Sequence, residues 1–582
     1  MIIMNIKQLS VAAAVSALTF TTATNAVLGP IPIYLNTEYR TENPVIGSIA
    51  SKIVINKEEI EQSGANTFLE LLATVPSANL EAGQGSTAAV RIRGNDARHT
   101  ILLVDGIKVS WYGQPHLELV PLDQIERVEI VKGPYSSLYG SGAIGGVIHV
   151  FTNRKLKEGE HSSINISYGT HNSKKISYSS SIQQDGDYIN FTVSDYHTDG
   201  IDAKKTGSTD KDSTDRRSVG VNFGKNISEN LNARFSILDS SADVQYDDGT
   251  NNNDLNQYNV EMNHILDNGL QSKLSYAQNK QSYYGSNYKE SDLTFTSEFN
   301  VDNGLLNGGI SFQEDEKNSG TAHNSNTDIF AQWQRVVYNN DVVFGFRNIN
   351  HSRFGDHFTY NLGVAKNIRN NWRLSGAYGK ATKLASISKT DANIDQSKTD
   401  LEPEQSKNIE LGIERKSDWG TTSIKAYKNK VDNFFKYNGP WGSHYYTNDG
   451  RYDIKGIDLT INTNILNWDI DTEYSYNNSV KAGTSYQTGR RPEHSIGVTA
   501  KKKIGKFNNR VNIINKSWAW DTTTGTDKLA GYTLVNLATS YNYNNAWKVT
   551  GTLNNALDEK YEVAKDYNQL GRTINIGVTH KF

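Results

Sequence analysis

The feature that most constrains this chain is a period of two. From residue 158 to the last residue, segments of about ten residues alternate apolar and polar side chains, separated by clusters of Asn, Asp, Gly and Ser. Ile189, Phe191 and Val193 alternate with Asn190, Thr192 and Ser194; Leu231, Ala233, Phe235 and Ile237 alternate with Asn232, Arg234 and Ser236. Val535, Leu537, Tyr541 and Tyr543 share a face against Asn536, Ala538, Ser540 and Asn542. The chain ends with Ile574, Ile576, Val578, His580 and Phe582 on one side and Asn575, Gly577, Thr579 and Lys581 on the other. Successive side chains of a strand point to opposite faces, so each segment carries one apolar face and one wet face.

A large soluble all-β protein would alternate in the same way, and the other end of the chain decides between the two. Lys7 precedes the apolar run 9–20, and Thr24-Asn25-Ala26 places small residues where a signal peptidase cuts. Residues 1–26 therefore read as a secretory signal peptide cleaved after Ala26. No other run approaches the roughly 18 apolar residues of a helical span. An exported chain that crosses lipid without helices must do so as a closed sheet, because every backbone amide has to be paired there. At roughly 19 residues for each strand and its connection, residues 158–582 predict about 22 antiparallel strands, a barrel whose lumen needs filling.

Composition agrees. With 31 Tyr, 47 Gly, only 10 Pro and 36% hydrophobic residues, the chain is too polar for helical spans and rich in strand-forming aromatics. Its 60 basic and 63 acidic residues nearly cancel, which argues against a nucleic-acid partner. Cysteine is absent, so disulfides and thiolate metal sites are excluded.

Residues 51–153 have another texture. Short runs rich in Val and Ile are stopped by Gly, Pro or Asp-Gly: Arg91-Ile92-Arg93-Gly94, then Leu103-Val104-Asp105-Gly106, Ile125-Glu126-Arg127-Val128, Gly133-Pro134 to Gly140, and Gly145-Gly146-Val147-Ile148. Asn56 with Glu59 is a capping-box pattern for a helix that Gly64 ends, and a second helix fits 67–73, before Pro76. This predicts a compact α+β unit of roughly a hundred residues. Gly140, Gly142 and Gly145 spell G-x-G-x-x-G, but they precede the β run 147–151 rather than opening a helix, so they read as turn glycines. The charges Arg91, Arg93, Glu126, Arg127 and Glu129 read as a solvated or internally paired set, or, in a plugged barrel, as charges facing its wet inner wall.

In this order the five motifs resemble the plug domain of the TonB-dependent outer-membrane receptors, and the likeness continues through the barrel. Leu401-Glu402-Pro403-Glu404 onward resembles the family's turn-and-strand motif after an outer loop. Asn448-Asp449-Gly450 onward resembles a lead into another strand, and Leu553-Asn554-Asn555-Ala556 onward the penultimate-strand motif. The resemblance implies an α+β plug (51–153) inside an all-β transmembrane barrel (158–582). It implies a monomer in the outer membrane of a Gram-negative bacterium, in contact with outer-membrane lipids and binding a small molecule. It also implies a segment in the lead-in 27–50 that pairs with a periplasmic TonB-type protein. Ile31, Pro32, Ile33, Tyr34, Leu35, Asn36 and Thr37 occupy that place. Pro32 departs from the usual pattern, though an extended segment can still add to a sheet edge. The polar, Pro-interrupted lead-in is expected to be mobile.

Plug loops 81–89 and 110–119 are expected to floor the ligand pocket, with Gln84, Ser86, Trp111, Tyr112 and His116 as contacts; His116 and His99 are the plug imidazoles within reach of a bound metal. Among outer loops, Asp202, Asp210, Asp212, Tyr246 and Asp247 fall where cobalamin receptors of the family hold calcium. Clustered carboxylates on neighbouring loops call for a hard cation, and calcium takes such oxygens. These loops and the compact size imply a cobalamin or related corrinoid as ligand; a ferric siderophore or haem is the alternative. With no G-x-S-x-G or H-E-x-x-H and only scattered histidines, no enzyme is expected.

Overall fold

A computed structural model describes residues 36–582 apart from 42–43, 82–87, 112–113, 153–157, 248, 284, 303, 319–321, 369–370, 399–400, 441–442 and 524. The signal segment and residues 31–35 lie outside the described residues. Twenty-two antiparallel strands close into a barrel, which is the predicted number. The first, Gly159–Gly169, pairs with the last, Thr573–Lys581, with Ile166 opposite Val578.

The period-two pattern sorts the faces. Ile329, Leu411 and Ile576 point outward and are more than half exposed, while Asn190, Thr192, Ser218, Asn222, Gln332 and Asn477 point inward and are buried. Outside is where lipid contacts an apolar band; inside is where the plug packs. One end of the barrel has short turns. At two of them Asn339 and Asn467 adopt φ of 61°, the left-handed conformation of two-residue hairpins. Exposed Tyr338, Trp419, Tyr543 and Trp547 ring this end, as an interfacial girdle should. The other end carries the long loops.

Inside the barrel the plug is built on a five-stranded sheet in the order 51–56, 125–132, 146–152, 100–104, 107–108, all antiparallel except 100–104 beside 146–152. Helix α1 (Lys57–Ser63) starts and stops as its sequence dictates. The Asn56 side chain accepts from the Glu59 N–H and Glu59 reaches back to the Asn56 N–H, while Gly64 ends the helix at φ 74°. Helix α2 (Phe68–Ala73) is capped by Thr67. Phe68, Leu71 and Leu72 of α2 pack with Leu102, Ile125, Ile148 and Val150 of the sheet into one fully buried core. A short helix, α3 (Ser136–Tyr139), follows the Gly133-Pro134 turn.

The plug meets the wall through charges that the sequence reads as solvated, paired or wall-facing. Arg91 pairs with Glu81 and Arg127 with Glu129, both within the plug. Arg93 instead crosses to the wall. Its Nη1 lies 2.5 Å from Glu410 and its Nε 2.8 Å from Asp458, with the guanidinium over the Tyr427 ring at 4.3 Å. Lys132 adds a 2.6 Å pair with Glu473. The next residue after Arg93, Gly94, can only be glycine. It sits at φ 70°, and a Cβ there would come within 2.5 Å of the Asn477 amide oxygen.

Removing Arg93 should strand buried carboxylates. Arg93→Met leaves Lys425, 3.5 Å from Glu410, and Lys132, 3.7 Å from Asp458, as partial counter-ions. The expected cost is on the order of 3 kcal/mol. It should appear in calorimetry as a lowered plug transition and in limited proteolysis as cleavage within 51–152, with the barrel intact.

Candidate functional site

The plug has two working faces, and the sequence addresses both. At the short-turn end the lead-in folds back on itself through a bridge between Asn36 and Thr41. Thr37 is fully buried. Its N–H donates to Glu129 (3.0 Å), its hydroxyl lies 3.3 Å from His149 Nδ1, and its carbonyl accepts from the Tyr139 hydroxyl at 2.8 Å. The Glu38 carboxylate accepts the N–H groups of Ile49 (2.7 Å) and Ala50 (2.8 Å) and the Ser48 hydroxyl. Tyr39, Ile46 and Ile49 pack on Val343 and Ala365 of the wall. The described part of the lead-in is therefore an ordered latch, contrary to the expected mobility. Short polar residues can fasten a strap when their partners are buried main-chain groups.

At the long-loop end the plug apex 95–99 rises against the outer loops. His99 is fully buried, 2.6 Å from Glu404, with Phe434 edge-on at 5.6 Å. Arg98 pairs with Asp96 at 2.6 Å and donates to the Phe435 carbonyl at 3.0 Å. Burial raises the Asp96 carboxyl, but the Arg98 guanidinium beside it wins and holds it well below the usual carboxylate range. Above lies helix α4 (Ile387–Asp395), folded inward from the loop after strand Trp372–Lys383. Ser388 donates to Tyr288 (2.7 Å), Asp391 pairs with Lys317 (3.1 Å), and Asn393 exchanges hydrogen bonds with the Tyr446 main chain at 3.0 and 2.7 Å. Burial, with Arg98 and Lys383 close by, pushes the Lys389 ammonium well below its usual value. Lys389 lies 5.3 Å over Tyr446 and Lys398 lies 4.8 Å over Tyr445. Beneath α4 a cavity is lined by Lys108, Tyr288, His351, Lys383 and Ser388. The same lining carries Glu290, Asp315, Glu316 and Asp328, so the cavity is mixed in charge, while Tyr445 and Tyr446 beside α4 offer rings to a flat ligand.

Of the expected ligand contacts, Gln84, Ser86 and Tyr112 lie outside the described residues, as does the Trp111 side chain. His116 is placed otherwise than expected. It is buried, with Nδ1 3.1 Å from the Gln281 amide oxygen, Nε2 3.4 Å from Glu118 and Tyr283 edge-on at 4.9 Å. Neither it nor His99 presents an open ring nitrogen to a metal. Arg98, Lys383, Lys389 and α4 itself were not singled out by the sequence, whose nearest pointer was His99.

The acidic outer loops do converge. Asp212 accepts from the Ala203 N–H at 2.8 Å, Asp247 from Ser208 at 3.1 Å, and Asp210 from the Ser208 hydroxyl. Burial, with Asp210 and Asp202 near, pushes the Asp212 carboxyl up. The Lys204 ammonium, however, sits 2.7 Å from Asp247. Among the described residues no three carboxylate or imidazole groups come close enough together to hold a metal ion. As placed, a lysine neutralises this corner.

A closed barrel of this size, filled by a plug fastened at both faces, defines a gated outer-membrane receptor. Residues 160–556 match the family model described as TonB dependent receptor-like, beta-barrel, and residues 44–147 match the TonB-dependent Receptor Plug Domain. The chain belongs to the TonB-dependent receptors, and it is a TonB-dependent outer-membrane transporter. Among curated relatives it is 26% identical to a vitamin B12 transporter BtuB of Photobacterium profundum, over 94% of this chain and 95% of that one. It is 25% identical to the BtuB of Vibrio vulnificus, over 90% of each. Similar solved structures include the siderophore receptor PirA from Acinetobacter baumannii, with TM-score 0.79 at 16% identity over 91% of this chain and 98% of that one. A mutant of the ferric enterobactin receptor PfeA from Pseudomonas aeruginosa gives 0.78 at 15% identity, over 91% and 98%. At such identity these structures speak for the architecture alone.

The latch gives a direct expectation. Glu129→Ala removes a hydrogen bond to a charged acceptor, worth about 2 kcal/mol. It should loosen residues 36–41 without any ligand, read as cleavage after Arg40 by an arginine-specific protease that the parent protein resists. Equal resistance would show that Glu129 does not hold the segment.

Proposed function

We propose that this receptor imports a cobalamin-class corrinoid across the outer membrane, driven by a TonB-type protein pulling on the segment around 31–37. The observation that carries this reading is the end-to-end relationship with vitamin B12 transporters, over 94% of the chain. The ligand binds in the long-loop mouth above the plug apex, and no bond is made or broken. Asn, Ser and main-chain groups at the mouth suit the amide rim of a corrinoid. A pull on the segment loads the Thr37–Glu129 and Glu38–Ile49 contacts first, then strand 51–56, which is zipped in register along 125–132 from Ser51 opposite Lys132 to Asn56 opposite Arg127. A passive porin is a poor fit, because the lumen is filled.

A ferric chelate is the second reading, favoured by one specific feature: Arg98, Lys389 and Lys398 set beside Phe434, Tyr446 and Tyr445 at the mouth. Calcium belongs to the corrinoid reading and would have to displace Lys204 from Asp247. Calorimetric titration of the purified receptor with calcium chloride checks it, and absence of heat removes calcium from the scheme.

Direct binding of cyanocobalamin against haem and a panel of ferric catecholates and hydroxamates decides the ligand. Saturable cobalamin binding is expected; a ferric chelate that binds while cobalamin does not would move the assignment to the second reading. Leu35→Pro should spoil strand pairing with the TonB-type partner, leaving ligand binding unchanged and uptake abolished. Normal uptake by that variant would place the contact elsewhere.

A further inference from the structure

Across the barrel from α4 lies a second outer cavity, of different chemistry. It sits between α2 with Leu80 of the plug and the strands Asp187–Thr198, Thr214–Asn226, Phe507–Lys516 and Tyr532–Asn542 of the wall. Leu69, Leu80, Leu534, Tyr532, Tyr561 and Arg216 are among its lining residues. The rings of Tyr532 and Tyr561 stand 4.4 Å apart and form one side. A neighbouring cavity shares Glu70, Tyr196, Leu534 and Tyr561 and reaches the outer turn at Thr170 and His171.

Arg216 is the anomaly. It points inward from its strand and is only 8% exposed, yet its Nε has no hydrogen-bond partner and no described carboxylate pairs with it. The plug carboxylates Glu70 and Glu118, in the same lining, lie near enough to favour its charge but make no ion pair with it. Glu70 accepts from the Asn66 N–H at 2.9 Å, and Glu118 accepts from the Ala88 N–H at 3.0 Å and lies 3.4 Å from His116. The other cation of the lining, Lys516, donates to the Ala78 carbonyl and the Asn79 amide oxygen, both at 2.9 Å. A buried guanidinium nitrogen without a partner is costly, and buried polar groups in native folds are ordinarily satisfied. The cavity thus offers one planar cation with an orphaned Nε, two carboxylates on the plug side, a pair of phenol rings and an aliphatic floor.

We propose that this cavity is a second small-molecule site, which takes a flat apolar body bearing one carboxylate. The carboxylate accepts from the Arg216 guanidinium in the fork geometry that suits the pair, and the ring system lies between the wall side formed by Tyr532, Leu534 and Tyr561 and the plug residues Leu69 and Leu80. Because the lining comes from both plug and wall, a bound molecule holds the two together. The site is independent of the corrinoid assignment.

The test uses the full-length receptor in lipid nanodiscs, with 2-naphthoate as probe and empty discs as the control for partitioning. Saturable binding is expected. Arg216→Met and the use of neutral methyl 2-naphthoate should each weaken it by about tenfold or more. Leu534→Trp, which fills the cavity from the opposite side, should abolish it. Heat-modifiable migration of each variant confirms a closed barrel. No saturable component above empty discs, or one insensitive to both substitutions, means that the cavity holds water only. Loss in Leu534→Trp with full binding in Arg216→Met would overturn the anionic class.

Discussion

In hydrocarbon an unpaired backbone amide has no water to turn to, and this single constraint propagates through the whole molecule. It forces the strands to close, so that Gly159–Gly169 meets Thr573–Lys581. Closure of twenty-two strands leaves a lumen far too wide for side chains to fill. The lumen must then hold a folded domain, and the inner wall must be polar enough to receive one. Asn190, Asn222, Gln332 and Asn477 are buried for that reason, in positions that a soluble sandwich would fill with apolar residues.

The contrast between the plug's interior and its surroundings follows. Within the plug, Leu71, Leu72, Leu102 and Ile148 are fully buried, and burial of such side chains contributes roughly 1.5–3 kcal/mol each. Between plug and wall, apolar contact is made in patches: Leu238, Ala242, Val244 and Leu255 of the wall join the plug core, and Ile144 meets Ala381, Val431 and Ile454. The remaining contacts are mostly ion pairs and hydrogen bonds, among them Arg93 with Glu410 and Asp458, Lys132 with Glu473 and Arg491 with the Gly94 carbonyl.

Much of this architecture is legible in the sequence because it is written in short-range patterns. The ends of α1 are spelled by Asn56, Glu59 and Gly64, and the faces of the barrel by alternation that needs no partner to be read. The functional faces are less legible because long-range partners decide them. His116 reads as a pocket histidine until Gln281, 165 residues away, is seen to claim it. Glu38 carries no local signal, yet it accepts main-chain N–H groups that only the fold-back of the lead-in presents. Helix α4 carries little local signal: it is fixed by Tyr288 and Lys317, paired on neighbouring strands, and by Tyr446 of an outer-loop hairpin, all distant in sequence. The acidic loops are legible as a cluster, but Lys204 had to be placed in space before its pairing with Asp247 could be weighed against a cation.

The polar character of the plug–wall interface bears on how such a gate can work. Separating apolar surfaces costs free energy in proportion to area, and nothing returns until they close again. Separating hydrogen-bonded polar surfaces in the presence of water exchanges one set of partners for another, so each neutral contact costs only about 0.5–1.5 kcal/mol net. A plug that shares only one edge of its apolar core with the wall and otherwise meets it through polar contacts can therefore shift against the wall and keep its own fold. The latch at Thr37 and Glu38 is made of hydrogen bonds to carboxylates, and it lies on the chain ahead of strand 51–56. A pull on the chain ahead of residue 36 meets these bonds first and the plug core last. Buried charges such as Arg93 are the exception. They hold the resting position, because an ion pair shielded from water is costly to break on one side alone.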